Sequence, residues 1–198
     1  SKLTNSDQNG SVDSVSAFPN AQTGMEVFAI SNQSQLLKYD FSNYKWSTIS
    51  INAGQNNSLK SIRFIDPLHG LLISTNENIF YTSDGGNSWH LANNLPTAFS
   101  EINLSIAPDN TVFVSGLSQQ KRCSLLKSAN YGENWTEIGK NLPSIDCDTP
   151  YVIAGADQKT VYIANPQLDK IYKTIDGGTT WQPTASNLML AYNVQTLV

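Results

Sequence analysis

The chain has 198 residues, with 12 Lys and Arg against 16 Asp and Glu and a formal net charge of −4. That length is ample for a sizeable core, and a balance with no basic run denser than Lys121-Arg122 argues against a nucleic-acid partner. No apolar stretch approaches the roughly 18 residues of a membrane-crossing helix. Charged residues make up only 14% of the chain, against about 25% in an average soluble protein; Asn, Ser, Thr and Gln fill the difference. With many Tyr and Trp and apolar runs of strand length, such as Leu71-Leu72-Ile73, this predicts an all-β protein of short strands and turns.

Residues 1–11 are polar and Ser/Asn-rich and read as a flexible arm before a domain at 12–198. A first group of strand-like segments falls at 12–17, 25–30, 36–39 and 45–50. A second falls at 58–64, 71–75, 79–83 and 88–92. A third follows at 101–106, 111–117, 122–128 and 134–138, and a fourth at 151–155, 160–165, 170–174 and 180–182. Asn76-Glu77-Asn78 and Pro108-Asp109-Asn110 are among the turn signals between them. No segment keeps helical periodicity for three turns. Residues 193–198 fall where a fifth inner strand would begin, or where a strand closing a four-bladed ring would lie.

The four tryptophans, Trp46, Trp89, Trp135 and Trp181, are spaced by about the length of one four-stranded propeller blade. The residues before them repeat as well. Thr82-Ser83-Asp84-Gly85-Gly86-Asn87-Ser88-Trp89 matches Thr174-Ile175-Asp176-Gly177-Gly178-Thr179-Thr180-Trp181. Ser128-Ala129-Asn130-Tyr131-Gly132-Glu133-Asn134-Trp135 is a looser copy, and the first keeps Trp46 but has Phe41 where Asp is expected. An Asp or Asn at the third position accepts bonds from backbone N–H groups further on and closes a tight turn. Glycine then supplies a positive φ, and the Trp buries its ring against the sheet. Thr82, Asp84, Gly86 and Trp89, Ser128, Asn130, Gly132 and Trp135, and Thr174, Asp176, Gly178 and Trp181 are therefore expected to lock hairpins.

This pattern resembles the Asp-box, or bacterial neuraminidase, repeat, Ser/Thr-x-Asp-x-Gly-x-Thr/Ser-Trp, from about residue 12 onward. The resemblance implies a β-propeller of four-stranded antiparallel blades at about 12–50, 58–92, 101–138 and 151–182, either a small closed ring or part of a larger one. It also implies that any site lies on the face opposite the boxes. Phe64-Ile65-Asp66-Pro67-Leu68-His69-Gly70, with Ile79, Thr82, Asp84, Gly85, Gly86 and Trp89, is similar to a blade of the photosystem II assembly-factor family. Sortilin-type receptor propellers carry similar boxes. Both resemblances imply a non-enzymatic propeller that binds a protein partner or larger assembly outside the cytoplasm, with no cofactor.

Enzyme readings are weaker. A sialidase holds its substrate carboxylate with three arginines, and the chain has only Arg63 and Arg122. A xyloglucanase-like hydrolase needs two carboxyl groups across a cleft. Asp146 and Asp148 lie in the longest loop, where neighbouring acids ordinarily form a solvated turn. A carbohydrate-binding or glycan-cleaving module is the alternative function. His69 and His90 have no second ligand at metal-binding spacing. The loops from one blade to the next, 93–100 and 139–150, are the expected partner contacts, with Phe99 and Ile145 as apolar anchors beside Asp146 and Asp148. Strand order puts Cys123 and Cys147 on the same face, which favours a disulfide over two buried thiols and with it an oxidising compartment.

Overall fold

The computed structural model describes residues 11–20, 24–31, 33–51, 58–76, 78–95, 99–118, 122–142, 148–164 and 171–184. Among them all regular structure is strand. The first sheet holds β1 (Val12–Asn20), β2 (Gly24–Ser31), β3 (Leu36–Asp40) and β4 (Lys45–Ile49). The second holds β5 (Leu59–Phe64), β6 (Gly70–Ser74), β7 (Ile79–Thr82) and β8 (His90–Leu91). The third holds β9 (Phe99–Ile106), β10 (Val112–Ser118), β11 (Cys123–Ser128) and β12 (Thr136–Glu137), and the fourth β13 (Val152–Gly155), β14 (Val161–Ala164), β15 (Tyr172–Thr174) and β16 (Gln182–Pro183). Each is a four-stranded meander in chain order, antiparallel wherever the register is defined. These are four propeller blades, as the repeat spacing predicts. The arm at 1–10 and the segment 193–198 lie outside the described residues.

By its contacts the chain divides into two compact units, Ser1–Thr75 with Thr82–His90, and Asn76–Tyr81 with Leu91–Val198. In the first unit β1 and β5 run side by side as inner strands. Ser14 Oγ accepts the Ile62 N–H at 3.2 Å and Ser16 Oγ accepts the Phe64 N–H at 3.0 Å. Phe64 lies against Phe18 and Phe28, with ring centroids 4.4 and 4.7 Å apart, and Trp89 meets it edge-on at 6.0 Å. Pro19 sits in β1 opposite Met25, tolerated because β1 is an edge of its sheet.

The second unit repeats this stitching. Ser105 Oγ on β9 accepts the Gly155 N–H of β13 at 3.1 Å, and Asn103 Nδ2 donates to Tyr151 O at 3.2 Å. Its core gathers Phe113, Leu125, Ile138, Ile153, Ile163 and Trp181. Phe113 fills the space left by the missing side chain of Gly155, where a Cβ would stand 2.3 Å from Phe113 Cδ2.

The outer strands differ from expectation. β8, β12 and β16 have two residues each, shorter than the segments 88–92, 134–138 and 180–182, and β16 runs on to Pro183. In the second and third blades the buried residues of these segments are Trp89 and Ala92, and Trp135 and Ile138. They are three apart, where a strand would alternate by two. A single further bond continues each pairing, from Ala92 N–H to Ile79 O, Ile138 N–H to Leu125 O and Thr184 N–H to Ile171 O.

Candidate functional site

The boxes are hydrogen-bonded turns. In the fourth blade Thr174 Oγ1 donates to Asp176 Oδ1 at 2.8 Å and accepts the Gly178 N–H at 2.9 Å. Asp176 then accepts the Thr180 N–H on Oδ1 at 2.9 Å and the Thr180 hydroxyl on Oδ2 at 2.6 Å. The second blade has the same set through Thr82, Asp84, Gly86 and Ser88. In the third, Ser128 bonds Asn130 and Gly132, and Asn130 Oδ1 accepts the Asn134 N–H at 3.0 Å. Asn134 replaces the hydroxyl residue there, and Tyr131 takes a positive φ of 59° in the place of a glycine, a strained position for a side chain.

The hydrogen bonds favour the charged carboxylates. The Thr180 hydroxyl, then the Thr180 N–H and Thr174, lower the Asp176 pKa to about 2. At Asp84 burial works the other way, but bonds from Ser88 and Thr82 outweigh it and the pKa is lowered.

The box tryptophans are buried, at 6, 4 and 7% exposure for Trp89, Trp135 and Trp181. Trp89 and Trp135 donate Nε1–H to the box carbonyls of Gly86 and Gly132, whereas Trp181 reaches back to Ile138 O in the preceding blade at 3.0 Å. The second box glycine is also a contact between blades. A Cβ on Gly86 would meet the Phe28 ring at 2.8 Å, and one on Gly178 would meet Ile138 Cβ at 2.4 Å.

A second series of turns was only partly readable. Asp66 Oδ1 accepts the Leu68 and His69 N–H groups, both at 2.8 Å, and His69 Nδ1 lies 2.8 Å from Oδ2. Asp109 accepts the Thr111 N–H at 3.1 Å, and Asp157 accepts those of Lys159 and Thr160 at 2.7 and 2.8 Å. The recurrence of Asp three or four residues before β6, β10 and β14 is the signal that finds them. These first loops are tied to the boxes by Gly85 N–H to Leu68 O and Gly177 N–H to Lys159 O, both 2.9 Å.

The first blade departs from this scheme. Asp40, one residue before the expected box position, accepts the Ser42 and Asn43 N–H groups at 2.8 and 3.3 Å, so the turn is shorter. The β2–β3 ladder runs only from Phe28↔Lys38 to Ile30↔Leu36, although β2 begins at Gly24 and β3 ends at Asp40. In the third and fourth blades the equivalent ladders reach Val112↔Ser128 and Val161↔Thr174, up to the first box residue. An open cavity of about 560 Å³ occupies the mouth of the first blade's seam, lined by Met25 and Glu26 on one side and Lys38, Tyr39, Asp40 and Phe41 on the other. Lys38 Nζ bonds Glu26 Oε2 at 3.0 Å, Asn20 Nδ2 donates to Glu26 Oε1 at 3.2 Å, and Tyr39 contacts Phe41 and Trp46 at ring distances of 4.8 and 5.1 Å.

The expected partner loops are less well represented. Ile145, Asp146 and Cys147 lie outside the described residues. Asp148 is exposed. Phe99 requires correction as an anchor. It belongs to β9, is 4% exposed, and its ring covers Gly116, where a Cβ would lie 2.3 Å away. Cys123 Sγ is 3.3 Å from Thr149 O.

Four antiparallel blades with boxes in three of them define an Asp-box β-propeller chain. It belongs to the photosynthesis system II assembly factor YCF48 family, whose model matches residues 38–193. A curated relative, the photosystem II assembly lipoprotein Ycf48 of Synechococcus sp. (strain CC9902), is 29% identical over 145 residues, which is 72% of this chain; the chain spans 40% of that relative's length. A solved structure of YCF48 bound to D1 peptide superposes with a TM-score of 0.51 at 14% identity, over 92% of this chain and 69% of the other. An ancestral GH74 enzyme superposes with a TM-score of 0.60 at 17% identity, over 88% of this chain and 24% of the enzyme. Both superpositions speak to the fold alone.

Proposed function

We propose that this protein is a non-enzymatic propeller that holds a protein partner outside the cytoplasm, in the manner of an assembly factor. The family match over residues 38–193 carries the reading. A relative named as an assembly lipoprotein and a fold neighbour described with a bound peptide support it. The boxes favour it too: Asp84 and Asp176 each engage both carboxylate oxygens within their own turn, so they act as hairpin locks and leave recognition to other loops. No cofactor is needed.

The partner contacts are assigned to the loops that join each outer strand to the next inner one, at the end of the blades away from the boxes. Ile145, Asp146 and Asp148 remain the candidate contacts after the removal of Phe99. The test is hydrogen exchange on the chain alone and with a partner captured by crosslinking in the native cell and then purified. Slowed exchange is expected at 93–95 and 139–150. Slowing confined to the Asp84 and Asp176 turns would sink the assignment, and release of sugar from xyloglucan by the pure chain would overturn the non-enzymatic reading.

A Cys123–Cys147 disulfide and an oxidising compartment belong to the same proposal. Cys123 Sγ lies beside Thr149, two residues past Cys147, and no free cysteine occurs among the described residues. Closing this loop would add roughly 3 kcal/mol of stability. Protein isolated without reductant should show an intact mass that alkylation leaves unchanged. Uptake of two alkyl groups by protein from an oxidising compartment would remove both the bond and its support for the location.

A further inference from the structure

We propose that the open edge of β1 receives residues 193–198 of a second copy of this chain. The inference does not depend on the partner loops assigned above. It starts from the way inner strands meet. Ser16 Oγ and Ser105 Oγ each accept the N–H of a residue, Phe64 or Gly155, that stands opposite the first residue of the following strand, Gly70 or Val161. In β9 that place, opposite Val112, belongs to Ile106, the residue just after Ser105. By the same offset from its own serine, Ala17 holds it in β1. Val15 then matches Ile62, whose N–H is accepted by Ser14 Oγ.

Successive N–H groups of a strand point to opposite edges. Those of Ile62 and Phe64 turn away from β6, so their counterparts at Val15 and Ala17 turn away from β2. Pro19 continues this outward series and has no N–H to leave unpaired. Among the described residues no bond from another sheet or a loop reaches Val15 or Ala17. Val15 is 58% exposed, and Ala17 and Pro19 are exposed beside it. β1 is thus equipped to be the later member of such a pair as well as the earlier one.

The occupant must bond backbone through side chains at alternate positions. β1 does so with Ser14 and Ser16, and β9 with Asn103 and Ser105. β13 has Val152 and Ala154 at these offsets and offers no such groups. Asn193-Val194-Gln195-Thr196-Leu197-Val198 follows the fourth blade, with carboxamides at alternate positions and apolar residues after them. Asn193 takes the place of Asn103, and Gln195 that of Ser105. A carboxamide both donates and accepts, and Gln195 accepts the Ala17 N–H. Every copy carries both the edge and the segment, so two copies exchange segments about a two-fold axis.

The test is sedimentation equilibrium of the full chain at about 5–200 μM, with hydrogen exchange followed at Val15 and Ala17. A dimer is expected with a Kd of about 10–100 μM, and exchange at both amides should slow as the dimer fills. Val15→Lys puts a charge on an exposed edge; its melting temperature should match the parent and its Kd should rise by about tenfold or more. Asn193→Val with Gln195→Val should weaken the dimer equally, whereas Asn193→Ser with Gln195→Ser should keep Kd within about threefold. Leu91→Lys, at an exposed position on β8, should leave Kd unchanged. A chain that stays monomeric at about 200 μM overturns the proposal. So does a dimer that Val15→Lys leaves intact, or one that forms without slowing exchange at Ala17.

Discussion

Trp181→Ala should lower the free energy of unfolding by roughly 3–5 kcal/mol, the cost of truncating a large buried aromatic. The ring belongs to the core of the second unit, and its Nε1–H is bonded to Ile138 O in the preceding blade. Truncation opens a cavity and strands that carbonyl. Trp46 occupies the same repeat position but is only half-buried beside Tyr39, so Trp46→Ala should cost clearly less. Urea unfolding of both variants measures the difference. Equal shifts of the midpoint would mean that the ring at position 181 contributes no more than a partly exposed one.

The second large effect is expected at Gly178. Its φ is +94°, and an added Cβ would stand 2.4 Å from Ile138 Cβ and 2.7 Å from Ile138 O. Backbone strain in that region costs about 1–3 kcal/mol, and forcing a methyl into a filled site costs about 1–3 kcal/mol more. Gly178→Ala should therefore destabilise by about 2–6 kcal/mol. The neighbouring Gly177 has a similar φ of +72°, but its Cβ would stand 3.1 Å from the end of the Lys127 side chain, which can swing aside, and 3.4 Å from Gln158 O, an ordinary contact. Gly177→Ala should then cost about 1–3 kcal/mol, the backbone share alone. Thermal unfolding of the pair separates the two contributions; equal losses would show that packing on Ile138 is unimportant.

These positions mark how far the amino-acid sequence could be read. Thr82 to Trp89 and Thr174 to Trp181 announce their turns, because hydroxyl, carboxylate and glycine each have one geometric job at a fixed offset. From them blade count and strand order follow. The outer strands were overestimated, since the three-residue spacing of Trp89 and Ala92 looks apolar enough for a strand but cannot alternate. Phe99 precedes the segment 101–106 that reads as a strand, yet β9 begins there, because its ring fills the space over Gly116, a pairing that no local pattern announces. In the first blade Phe41 stood where the repeat expected an acid, and the working turn acceptor was Asp40, one residue earlier. The β2–β3 seam was invisible for a different reason. Where a ladder stops depends on the loops at its end, and neither strand's own composition records it.

The side-chain stitches between inner strands have a direction. Ser14, Ser16, Asn103 and Ser105 all lie on the earlier strand of each pair, and the backbone groups they bond, at Ile62, Phe64, Tyr151 and Gly155, lie on the later one or immediately before it. During synthesis the earlier blade emerges first and can complete its hairpins from local contacts alone. It then presents its hydroxyl and amide groups as a finished edge before the next inner strand has left the ribosome. In each of these two pairs the later inner strand therefore docks on groups that the N-terminal blade already displays.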